Sequence, residues 1–383
     1  MAMTTDDSYT STISRFWRAM PFWCSLLLIP LAILSAAQGG WTIALLPVAT
    51  FYLFSLLDLA VGLEKRNADP QTPEDRLYWY RLITLIWTPI QIATLLGILL
   101  YITRTDHLSG FEEWALFAVL GILSGTIGIN YSHELMHQKP KVERWLADIL
   151  LASVLYGHFR SEHLLVHHRY VGTPRDPVTA RYGESFYRFF PRVLWQCLRS
   201  AFLAETAMLE RKGLPWWHRT NPFWRYVALE AAFLLAALWI GGVWGLFLWT
   251  TQAFWAVFQL EFVNYVEHYG LTRRHLGDGK YEHVLPRHSW NAAQKASNWL
   301  LINLQRHSDH HYKPDRRFPL LQTYEAEEAP QLPHGYPVMT IAALFPPLWK
   351  RIMHPRIKAW RETYYPDIDD WAPYNKAATP FPR

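Results

Sequence analysis

The chain is expected to fold as an all-α integral membrane protein: a six-helix transmembrane bundle under a cytosolic, histidine-rich cap. Three observations lead there. Apolar, nearly charge-free stretches of about 18–21 residues recur along the 383-residue sequence, and about 20 residues cross the hydrocarbon of a bilayer. Nine of the 17 histidines fall into four tight groups. Those groups lie just beyond apolar stretches, at one membrane depth.

The spans come in order. Residues 21–37 form the first, 41–61 the second, 82–102 the third and 114–131 the fourth. Residues 226–266 hold only Glu230 as a charge until Glu261, and Gly241–Gly242 divides them into two more. Buried helices of a soluble enzyme are the rival reading. Twenty Trp and twenty Tyr fit a bilayer better, since these rings favour the membrane interface.

The organisation follows. Residues 1–131 are four spans as two hairpins, and 132–225 are a cytosolic insert with the first two histidine groups. Within it, 144–156 and 186–208 read as amphipathic helices at the membrane surface. Residues 226–266 are the last hairpin, and 267–383 complete the cap with the last two groups. From 319 onward, proline and aromatic residues suggest irregular packing. Gly121 and Gly125 in the fourth span suit close helix contact.

Short-loop Lys and Arg set the orientation. The first tail has Arg15 and Arg18, and the loop after the second span has Lys65, Arg66, Arg76 and Arg81. The loops after spans one and three are poor in both. Both termini and all the histidine groups are thus expected in the cytosol. The opening residues, MAMTTDD, lack a basic start, so no cleaved signal peptide is expected.

Other classes are excluded. Cys24 and Cys197 are the only cysteines, so no C-x-x-C iron–sulfur, rubredoxin-type or zinc-ribbon module is present. No Walker or G-x-G-x-x-G motif occurs, and no nucleic-acid partner is expected. The net charge of +5 reflects the positive-inside bias. Asp58 and Glu230 are the ionisable residues within spans, where a charge is costly.

The histidines carry the chemistry. His133 and His137 sit at i, i+4 and share a helical face, suited to one ion. Their string, HELMH, is also H-E-x-x-H, the metalloprotease signature. His163 and His167 share a face, while His168 points about 100° away; the two neighbours would serve different ions. His307 shares a face with His310 and His311. His268 ends the sixth span at the same depth. Nine imidazoles exceed one ion and suit two with open positions. Asp176, Glu267 and Asp309 are placed to accept distal imidazole N–H groups.

Here the chain resembles a known family. HELMH, EHLLVHHRYVGTPRDP, NYVEHYGL and LQRHSDHHYKP are similar, in order and spacing over residues 40 to 315, to the histidine motifs of integral-membrane alkane 1-monooxygenases. Fatty acid desaturases and xylene monooxygenases share the looser plan. The resemblance implies two non-haem iron ions held by histidine alone and hydroxylation of the terminal carbon of n-alkanes with O2. It implies electrons from rubredoxin, served by a reductase, and a bacterial inner membrane. Without C-x-x-C here, rubredoxin is expected as a separate chain, docking near Arg273, Arg274, Arg316 and Arg317.

Rival readings are a desaturase or xylene-type enzyme of the same class, a membrane zinc protease using HELMH, and a metal transporter. A protease would leave seven clustered histidines idle, and a transporter would place its ligands in mid-span. An alkane also needs an apolar tube leading from the metals into the membrane. Phe51, Tyr52 and Ser55 of the second span are the candidates to line it.

Overall fold

A computed structural model describes residues 12–375; the signal-peptide expectation falls on residues 1–7, outside that range. Five helical stretches are long and apolar enough to cross a membrane: Thr12–Gln38, Gly40–Val61, Glu74–Ile102, Gly110–Met136 and Phe223–His268. The last is two helices. At Gly242 the backbone adopts φ 60° and ψ −151°, a conformation open to glycine at little cost. The chain doubles back there, and the Phe233 ring stacks on Trp249 at 5.5 Å. In an unbroken helix those residues would stand about 24 Å apart. The bundle therefore has six spans, and the protein is an all-α integral membrane fold.

Each helix outruns its charge-free segment. Polar residues prolong the fourth span to Met136 and the sixth to His268, so the helices themselves carry histidines out of the apolar layer. A capping box starts the fourth span: the Ser109 hydroxyl accepts from the Glu112 amide, and Glu112 Oε2 accepts from the Ser109 amide at 2.8 Å. Together the two satisfy helix-terminal amides that have no partner within the helix.

Glycine brings the fourth and sixth spans together. A Cβ on Gly121 would run into the Gln252 carbonyl, and one on Gly125 would lie 2.6 Å from the Ala256 carbonyl oxygen. Two ionisable residues within spans serve as anchors. Asp58 accepts the Ser297 amide at 2.9 Å, and Glu230 accepts the Gly157 amide at 2.8 Å.

The cap gathers at one end of the bundle. Helix Lys141–Ser153 packs on the fourth and third spans. It is buried among the spans on its inner face rather than resting at the surface. Glu143 anchors it, accepting from Arg81 at 2.7 Å and from Arg317 at 2.9 Å. Helix Phe186–Glu210 turns Trp195 and Tyr187 outward. A two-stranded hairpin, His275–Gly277 with Lys280–Tyr281, is the only sheet among the described residues.

The expectation of an irregular tail from 319 is corrected. Helices Tyr336–Ala343 and Pro346–Tyr364 form there. Proline misled because Pro337, Pro346 and Pro347 stand in first turns, where a missing N–H would have no intrahelical partner; only Pro355 falls in a helix interior.

Candidate metal centre

The nine histidines come together in two adjacent groups. His133, His137, His163, His168 and His310 form one; His167, His268, His307 and His311 form the other. Within each group the ligand atoms all lie within 4.8 Å of one another. The fourth span supplies His133 and is followed at its C-cap by His137, the sixth supplies His268, and helix His307–Tyr312 supplies the last three.

The division departs from the expected pairing of His163 with His167. Residues His163–His167 are π-helical, and a π-helix repeats at i, i+5. His163 and His168 therefore share a face, with Nε2 atoms 2.9 Å apart. His167 turns to the other group. His310 likewise leaves His307 and His311 and meets His168 at 3.1 Å.

The donor set fits metal ions. Neighbouring Nε2 atoms stand 3.1 Å apart in His137–His163, 3.1 Å in His268–His307 and 3.0 Å in His307–His311. Metal–imidazole bonds of about 2.1 Å set neighbouring ligand nitrogens about 3.0 Å apart at right angles and about 3.4 Å apart at tetrahedral angles. Burial and the neighbouring imidazole of His167 push His137 down to about 3. Burial, followed by neighbouring imidazoles, drives His163, His168, His310 and His311 well below the ordinary value. The rings are neutral, with lone pairs available to a metal.

His167 shows the direction most clearly. Its Nδ1 lies 3.0 Å from Asp176 Oδ2, while its buried Nε2 has no hydrogen-bond partner. Asp176 is itself fixed by the Thr179 hydroxyl at 2.7 Å and the Val178 amide at 3.0 Å.

The other two acids differ from their expected role. Glu267 Oε2 approaches His307 Nε2 at 3.3 Å, on the ring edge that faces the group rather than the distal edge. Asp309 turns away from the imidazoles. It accepts from Arg316, from the Tyr324 hydroxyl at 2.7 Å and from the Gln322 amide at 2.9 Å. Nor is Glu134 free to act as a base beside His133. It accepts from Gln138 and the Phe318 amide, both at 3.2 Å.

A cavity of about 690 Å³ runs from the bundle to both groups. Thr50 and Phe51, Gly125 and Ile129, Leu260 and Val263 line it, and His133, His163 and His307 close it. Of the three second-span candidates, Phe51 lies on this wall. Tyr52 is 61% exposed on the bundle's outside, and Ser55 donates to its own helix at Phe51; neither lines the cavity.

The four arginines proposed for docking do not form a free basic face. Arg273 is buried and donates to the carbonyls of Glu282 and Arg169. Arg274 grips Asp367 with both nitrogens at 2.6 Å. Arg316 holds Asp309, and buried Arg317 holds Glu143. Buried cations need such partners.

Sequence reasoning missed the polar layer beneath the histidines. Glu162 is wholly buried with both oxygens unpartnered, and Glu261 accepts from the Tyr156 hydroxyl at 2.9 Å. Glu162 directly precedes His163, and Glu261 breaks an otherwise uncharged run; those were the available signals.

Fold and site define a membrane-embedded, histidine-box oxidoreductase: the family model for fatty acid desaturases matches residues 112–343. Alkane 1-monooxygenase 2 of Pseudomonas aeruginosa is 40% identical over 316 residues, covering 81% of this chain and 82% of that protein. Alkane 1-monooxygenase 1 of the same organism is 38% identical over 335 residues, 85% of each. Alkane 1-monooxygenase 2 of Alcanivorax borkumensis is 38% identical over 326 residues, 82% of each. The chain belongs to the alkane 1-monooxygenase family and is an enzyme of that kind.

Proposed function

We propose that the enzyme hydroxylates the terminal carbon of medium- or long-chain n-alkanes, with two iron ions held by the nine histidines. Such ions would reduce O2 and supply an oxidant strong enough for an unactivated C–H bond. The overall balance is one alkane, O2, two electrons and two protons to one alcohol and one water. The observation that carries this reading is the cavity that opens onto both histidine groups at once.

The chain's own residues give the cavity its selectivity. Apolar side chains from three spans exclude water and hold an unfunctionalised chain end beside the imidazoles. No Lys or Arg lines it, so nothing there would grip the phosphate of a carrier-bound acyl group. That favours an alkane over the substrate of a desaturase. Asp176 aims His167, and burial keeps His137 unprotonated at neutral pH.

Electrons would come from rubredoxin, as a separate chain served by its reductase. The cap would face the cytosol of a bacterial inner membrane. The alkyl substrate would enter laterally from the bilayer.

The test is turnover of purified enzyme with O2, rubredoxin, reductase and a series of n-alkanes. Terminal alcohols from medium or long chains are expected. Subterminal alcohols, or olefins from acyl substrates, would contradict the reading, and turnover with NADH alone would remove the carrier.

A further inference from the structure

A second cavity, of about 1,060 Å³, lies away from the metal centre. It sits between the starts of the first and third spans, the 64–68 loop and helix Lys295–Leu300. Arg18, Arg66, Lys295 and Arg306 line it, against Glu64 as the one carboxylate. Arg306 is the unusual member. It is only 6% exposed, yet its hydrogen bonds go to amide oxygens alone: Leu321 at 2.6 Å, Arg66 at 3.2 Å, Glu64 at 3.4 Å and the Asn67 side chain at 3.5 Å. Its buried Nε has no partner. The Glu64 and Asp309 carboxylates act on it only through charge, and neither is hydrogen-bonded to it; a guanidinium matches the geometry of a phosphate.

The depth identifies the anion's source. Trp17 and Tyr78 lie on the same helix turns as the cavity mouth and are 65% and 56% exposed. Such rings sit at headgroup level. Basic pockets between spans at that level suit lipid headgroups. Trp299 and Phe22 line the cavity beside the cations and would meet the first carbons of the lipid.

We propose that this cavity binds the phosphate of an anionic phospholipid against Arg306. Arg306 directly precedes His307, so the bound lipid braces the helix that supplies three of the nine histidines.

The test uses delipidated, metal-loaded protein in neutral detergent. It is equilibrated with equal amounts of phosphatidylglycerol and phosphatidylcholine, repurified, and its retained lipid measured by mass spectrometry. Phosphatidylglycerol is expected to be retained at least fivefold over phosphatidylcholine. The double variant Arg66→Gln/Lys295→Gln, changed only at the accessible mouth, should lose most of that preference. Equal retention of both lipids, or an unaltered preference in the double variant, would overturn the proposal. A rise in melting temperature with inorganic phosphate alone, matching that with the lipid, would assign the cavity to a free anion and overturn it equally.

Discussion

His167 owes its direction to one contact, Nδ1 against Asp176 Oδ2 at 3.0 Å. Replacing Asp176 by Asn keeps the shape and removes the charge that supports the ring. Metal affinity should fall by about 10–100-fold, read as iron lost to a graded chelator. Unchanged affinity would make Asp176 a purely structural residue. The cavity wall gives a second residue-scale prediction. Phe51→Ala should extend the accepted alkane length, because removing a steric stop opens space outright. Tyr52→Ala should leave the product profile alone, since Tyr52 faces outward. The opposite pattern would place the tube on the other side of the second span. The second-span candidates show what a sequence conceals. Phe51 and Tyr52 are adjacent and chemically alike, and only the packing of neighbouring spans decides which is inside.

Elements explain the rest of the legibility. The spans were readable because apolar length is a local property, and the break at Gly242 was readable because glycine marks it. The grouping of His163 with His168 was not. It rests on a π-helical stretch that nothing in the local composition announces. Close packing makes its own prediction: Gly125→Ala would force a methyl to 2.6 Å from the Ala256 carbonyl. A cost of about 1–3 kcal/mol is expected, seen as a lower melting temperature in detergent; no change would mean that the spans are not in contact there. The tail supplies a pH prediction. Burial would raise Glu282, but hydrogen bonds from His288, the Arg274 amide and Tyr365 outweigh it and hold the carboxyl well below the usual range. Its folded pKa is depressed, so its contribution is present above the unfolded value and lost as pH falls. The tail around Tyr365 should stay docked at neutral pH and loosen only below about pH 4. Limited proteolysis across a pH series checks this. Release already at pH 6 would contradict it, and Glu282→Gln should loosen the tail at neutral pH.

At the scale of the whole molecule, six spans hold a polar cap that buries nine histidines in two adjacent groups. The bundle supplies an apolar approach, and the helix ends supply the donors. Nine histidines, distant along the chain, converge because four helical elements end at one depth. The histidine count was legible in the sequence; the split of five and four required the tertiary structure, since His310 and His307 part company within a single short helix. The account rests on two metal ions, one per group. Elemental analysis of purified protein, alongside His137→Ala from the five-membered group and His268→Ala from the four-membered one, tests it most directly. Two irons per chain are expected in the native enzyme and about one in each variant, with loss of turnover in both. A single ion per chain, or zinc in place of iron, would contradict the account.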